Sequence, residues 1–179
     1  MGARDNIVCR FDTRIITQSL ARPANTTQYA AGEVISEVTS NNHFTFPDMA
    51  NPGALSGQID RAIITSSADG SGVLLPDLEL WLFDTDIAEV ADNAAFAVTD
   101  AEMLTLVGVI DFPVANWKVG LSGGNSCCEG DRAGGNPLPM IYKCKTVSDF
   151  SLFGQLVTRN AYTPISGEVF SVRLLITRD

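Results

Sequence analysis

Four cysteines and one histidine are the residues with which this 179-residue sequence could do metal or nucleophile chemistry. Cys127 and Cys128 are adjacent, and Cys9, Cys144 and His43 stand apart. A zinc site needs its ligands around one tetrahedral centre. Adjacent cysteines rarely chelate one metal comfortably, and the two-residue spacing of zinc knuckles is absent. A Ser or Cys triad needs a base, which here could only be His43, and neither Ser126 nor Cys127 sits in a nucleophile motif. His43 precedes Phe44 in an extended run and reads as structural. Asp84, Asp86 and Asp92 cluster as oxygen donors do around calcium, but their spacing and the lack of a turn glycine fail the calcium-loop pattern. They read as turn-forming aspartates. A paired-carboxylate hydrolase needs two acids about 5–10 Å apart in a cleft, a pair the spacing does not reveal. Gly120, Gly123, Gly124, Gly130, Gly134 and Gly135 lack the Gly-Lys-Ser/Thr ending of a phosphate loop. The expectation is a protein that is not an enzyme, with no catalytic, cofactor-binding or metal-ligating residues.

The elements that would position these residues are strands. Leu78 to Phe83 is a run of large apolar residues with Leu78, Leu80 and Leu82 on one side and Trp81 and Phe83 on the other. A strand apolar on both faces needs cover on both, so it belongs inside a packed sheet. Thr99-Asp100-Ala101-Glu102 fits a capping box, the start of a short helix of about two turns. Val107 to Phe112 is the next strand. Val34 to Val38, His43 to Phe46, Ile59 to Ser66, Met140 to Cys144, Leu152 to Arg159 and Glu168 to Thr177 read as further strands, with a short one at Trp117 to Val119. In Ile59 to Ser66, Ile59, Arg61 and Ile63 oppose Ala62 and Ile64. Residues 120–139, with six glycines, two prolines and the paired cysteines, read as the longest irregular segment. Residues 1–26 read as an extended N-terminal arm, and 27–179 as one domain. Many short strands with long Gly/Pro loops predict an all-β sandwich of jelly-roll or Greek-key type.

Composition agrees with one globular domain: 45% of residues are hydrophobic and 18% charged. A chain of this size buries roughly 70% of its unfolded surface and needs no metal or disulfide to fold. The net charge of −9 argues against wrapping nucleic acid, and no apolar run approaches the roughly 20 residues of a membrane span. Met1 to Asn6 lacks the apolar core of a secretory signal, and Asn6 occupies the position where myristoylation wants Ser or Thr. Synthesis in a reducing cytoplasm is expected. There the cysteines would be thiols, with Cys9–Cys144 or loop disulfides forming only in an oxidising medium. Asn25-Thr26-Thr27 is then a chance match to the glycosylation triplet. Charge is uneven along the chain. Residues 77 to 111 carry nine acids and no Lys or Arg, while residues 1 to 22 carry four arginines against two aspartates, a net of +2. Such asymmetry orients one subunit against another.

Leu82-Phe83-Asp84, Asp92-Asn93-Ala94-Ala95-Phe96, Thr99 to Glu102 and Val107-Gly108-Val109 together resemble small structural proteins of tailed bacteriophages, as do Gly154 to Arg159, Tyr162 to Pro164 and Gly167 to Phe170. About half the chain is covered, and the motifs are structural. The resemblance implies a capsid decoration (cement) protein, a β-rich and commonly trimeric protein bound outside the major capsid shell, with no cofactor and no catalytic residues. The expected function is to bind and stabilise the assembled capsid, with the major capsid protein and further copies of the chain as partners. Arg4, Arg10, Phe11, Arg14 and Arg22 on the arm are the expected interface residues. The alternative is a glycan- or ligand-binding sandwich of a phage tail or surface protein, with Trp81 or Trp117 stacking on sugar rings.

Overall fold

A computed structural model describes residues 12–37, 43–68, 75–120, 124–145 and 150–179. Among them are eleven strands: β1 (Asp12–Ala21), β2 (Val34–Ile35), β3 (Phe44–Phe46), β4 (Ser56–Ser66), β5 (Leu78–Phe83), β6 (Leu106–Phe112), β7 (Lys118–Val119), β8 (Ser126–Arg132), β9 (Met140–Lys143), β10 (Leu152–Thr158) and β11 (Val169–Arg178). One α-helix, α1 (Asp100–Met103), lies between β5 and β6.

The pairing is nested. β1 pairs with β11, β2 and β3 with β10, β4 with β8 and β9, and β5 with β6, all antiparallel. That is one long hairpin with the β5–β6 pair at its tip. The hairpin rolls on itself, because β11 also pairs with β4 and β10 with β5. The resulting path is β1-β11-β4-β8-β6-β5-β10-β2. β8 carries it from one half to the other, pairing with β4 through Ser126–Gly130 and with β6 through Asp131 and Arg132. The two halves face each other across one apolar core that takes Ile16, Ile64 and Leu174 from the first and Leu80, Ile110 and Leu156 from the second. This order of strands is a jelly-roll β-sandwich.

β5 lies between β6 and β10 with Leu78, Leu80 and Leu82 fully buried, as its alternation predicts. Its other face is covered by the connection to β6, where Phe96 meets Trp81 edge-on at 5.2 Å. α1 has the predicted capping box, but it is a single turn that buries no side chain. Gly154 in β10 marks a close approach. A Cβ there would lie 2.9 Å from a Phe46 ring carbon and 3.0 Å from a Leu80 methyl.

Three expectations are corrected. Residues 126–132 are a strand, β8, and not an irregular segment. Ser126, Cys128 and Gly130 face the core and Cys127 and Glu129 face out, a period-two pattern made from small and polar residues. Gly130 is small because Phe112 and Ile110 carbons stand within 2.6 and 2.7 Å of where its Cβ would be. Residues 12–21 are not a free arm: all ten pair with β11. The boundary at residue 26 therefore falls inside the sandwich, and an arm can only concern residues 1–11, outside the described residues. Ile59 does not share a face with Arg61 and Ile63. The β4–β11 register slips between Arg61 and Ile59, leaving Asp60 as a bulge residue that accepts from Gln58 and Thr177 at 2.7 Å each. Ile59 is thereby turned into the core.

Candidate functional site

The outward face of the β1-β11-β4 half carries side chains in rows set by strand register. Ile15 stands beside Leu175, which stands beside Arg61. In the next row Thr17, Arg173, Ile63 and Glu129 follow one another. On the far side Gln58 separates Thr177 from Ile141. Ile15, Ile63 and Leu175, with the stems of Arg61 and Arg173, line a shallow hollow of about 150 Å³. Ile15 is 55% exposed and Ile141 77%. Alternation normally puts polar residues on the solvent side of a sheet, and these aliphatic side chains depart from that pattern. Arg61 grips Glu129 through two nitrogens and holds that carboxyl below the usual carboxylate range. Arg173 is exposed and has no acidic partner among the described residues.

The expected interface residues divide. Arg4, Arg10 and Phe11 lie outside the described residues. Arg14 is exposed and pairs with Asp12 at 3.1 Å. Asp12 is also held by Arg178, and these two guanidinium groups, Arg178 first, lower its pKa. Arg22 is inside the sandwich, its side chain wholly buried. Its nitrogens reach the Tyr29 hydroxyl at 2.8 Å, the Asn25 and Ile165 carbonyls at 2.7 and 3.2 Å, and Asp92 at 3.5 Å. No part of that guanidinium faces outward, so Arg22 cannot meet a neighbouring subunit from this position. Sequence position alone suggested an arm residue; the ten-residue pairing of β1 drives the next residue into the end of the core.

Arg22 belongs to a polar plug at that end. Tyr29 donates to Asp92 at 2.6 Å and stacks on Tyr162, with ring centres 6.2 Å apart. The Tyr162 and Ser66 hydroxyls both bond the buried Glu168 carboxylate. Burial, reinforced by the acid beside each, pushes both tyrosine hydroxyls far above their ordinary pKa, so they act as fixed donors. The plug ties β1 to the β5–β6 and β10–β11 connections.

The remaining candidates for chemistry are scattered. Cys127 is exposed and Cys128 buried on opposite faces of β8, and burial pushes the Cys128 thiol up to about 12. Cys144 is buried, and Cys9 lies outside the described residues. His43 places Nε2 3.0 Å from Asp86, leaves Nδ1 buried without a partner and packs edge-on against Phe153. Asp84 bonds Thr85, Asp86 meets His43 and Asp92 joins the plug, so the three aspartates do not converge. Among the described residues no group of three His, Cys, Asp or Glu is placed to hold a metal, and no helix is long and apolar enough to cross a membrane. Trp117 is buried with its indole N–H on the Pro76 carbonyl at 2.8 Å, and Trp81 bonds Glu79 at 2.8 Å. Trp117 therefore offers no open ring face for a sugar to stack on, and Trp81 is half-buried with Phe96 edge-on to its ring.

Register also assembles a row of acids that the linear sequence does not show. Glu79, Asp111 and Asp131 lie opposite one another on β5, β6 and β8. Glu79 is neutralised by Arg159 at 3.0 Å. Asp111 has one buried oxygen without a partner, and burial raises its pKa.

These features define a jelly-roll sandwich with a small aliphatic hollow on the outward face of one sheet. No protein-family model matches the chain, and no curated protein does. Solved structures similar at low level include two virus particles. One is a particle of Israeli acute paralysis virus heated to 63 degrees, with 11% identity, a TM-score of 0.38, and coverage of 94% of this chain and 68% of that one. The other is a marine algae virus of the order Picornavirales, with 11% identity, a TM-score of 0.30, and coverage of 92% and 68%. Likeness at this level carries no conclusion about function.

Proposed function

We propose that this protein is a non-enzymatic structural protein of a virion, made in the host cytoplasm, that sits on the capsid exterior and stabilises the assembled shell as a decoration protein. The observation that carries the reading is the outward face of the β1-β11-β4 half, where Ile15, Ile63, Leu175 and Ile141 interrupt an otherwise polar surface on a rigid sandwich. A body of this kind works by contact. An interface of standard size removes about 1,600 Å² of surface, and binding only the assembled shell stabilises it by mass action. The jelly roll is a fold widely used in capsids, and the resemblance of residues 82–109 and 154–170 to phage decoration proteins points the same way. The major capsid protein and other copies of this chain are the partners, with a trimer as the working form. Arg4, Arg10 and Phe11, ahead of β1, are the proposed reach toward a neighbour, with Arg14 beside them.

Purified protein mixed with expanded empty capsids of the virus that encodes it should co-sediment to saturation and raise the temperature at which the shells come apart. Protein left entirely in the supernatant, with an unchanged disassembly temperature, would overturn the proposal.

A further inference from the structure

The connection between β5 and β6 projects a second apolar feature, remote in sequence from the hollow. Leu104, just after α1, is 89% exposed, and its neighbour Met103 is 40% exposed. A leucine that open makes no packing contribution to its own chain. Asp100 is exposed on the same turn and the stretch 77–111 holds no Lys or Arg, while Lys145 reaches the Thr85 hydroxyl of this connection at 2.9 Å. The hollow between Ile15, Ile63 and Leu175 is lined by Arg173, which has no acidic partner among the described residues, and by Arg61, which Glu129 already pairs. Its volume, about 150 Å³, is that of a cavity able to take a benzene-sized apolar group.

We infer that the hollow is the docking site for a second copy of this chain, which inserts Leu104, with Met103 beside it, and brings Asp100 toward Arg173. Charge decides against the hollow meeting itself. A two-fold contact would set the uncompensated Arg173 of one copy near that of the other, whereas the acidic turn complements it. Knob and hollow occupy different surfaces, so the contact is head-to-tail, and head-to-tail contacts close into rings when the rotation permits. This rests on and deepens the oligomer part of the proposed function, and a hollow filled by Leu104 is not open to the capsid at the same time.

Sedimentation of the full chain should show one oligomer that dissociates on dilution. Leu104→Asp and Arg173→Glu, both surface changes, should each weaken association roughly tenfold or more while leaving the circular dichroism spectrum unchanged. Asp100→Lys combined with Arg173→Glu should restore it. In a Cys127→Ser background, Leu104→Cys chains mixed with Ile63→Cys chains should form mixed disulfide dimers. A wild-type chain that stays monomeric at every concentration, disulfides from Ile63→Cys chains alone, or an oligomer indifferent to Leu104→Asp would overturn the inference. Capsid co-sedimentation by the same variants reads the other proposal separately.

Discussion

Replacing Arg22 by methionine tests whether this arginine holds the sandwich together or serves a neighbour. Methionine keeps most of the volume and removes every donor. The change leaves Asp92, only 9% exposed at its side chain, without its counter-charge, and strips hydrogen bonds from the Asn25 and Ile165 carbonyls. Removing one member of a buried ion pair costs about 3–5 kcal/mol, because the charge left behind stays desolvated. For a chain of this length each kcal/mol lowers Tm by about 2–4 °C, so the midpoint should fall by roughly 6–20 °C. Adding Asp92→Asn should recover part of the loss, since no uncompensated charge then remains. The assay is thermal unfolding followed by circular dichroism at several protein concentrations, which separates subunit dissociation from loss of the fold. A loss below about 1 kcal/mol in the isolated chain would refute the assignment and return Arg22 to the surface role its sequence position suggests.

Gly154→Ala should destabilise by about 1–3 kcal/mol, because the new methyl enters the space of Phe46 and Leu80 and the core must shift; equal denaturant midpoints would contradict that packing. Asp111 has a raised pKa in the folded chain, so its proton favours folding below the unfolded value and is lost as pH rises through the folded value. Asp111→Asn should therefore increase stability at neutral pH and flatten the pH dependence, measured as urea midpoints from acidic to neutral buffer; a lower midpoint at neutral pH would count against it. Alkylation of the folded protein with peptide mapping should find the adduct on exposed Cys127 and none on Cys128, whose buried thiol stays protonated. Modified Cys128 in folded protein would show that β8 is not in place.

Local pattern alone determined the parts of this molecule whose stabilising partners are near in sequence or whose alternation is written in large apolar residues. β5 and β11 declare themselves by period-two burial of leucine, phenylalanine and isoleucine, and the capping box needs only Thr99 and Glu102, three residues apart. β8 gave no such signal, since serine, cysteine and glycine face the core there, and only the nearby Phe112 and Ile110 explain why. Tertiary pairing decided the rest. Whether residues 12–21 are an arm or a strand depends on β11, some 150 residues away. A one-residue bulge at Asp60 turned Ile59 inward while Ile63 stayed outside. Ile15, Ile63 and Leu175 form one hollow only because three strands from distant parts of the chain are aligned in register, and register is a long-range property that no local window contains.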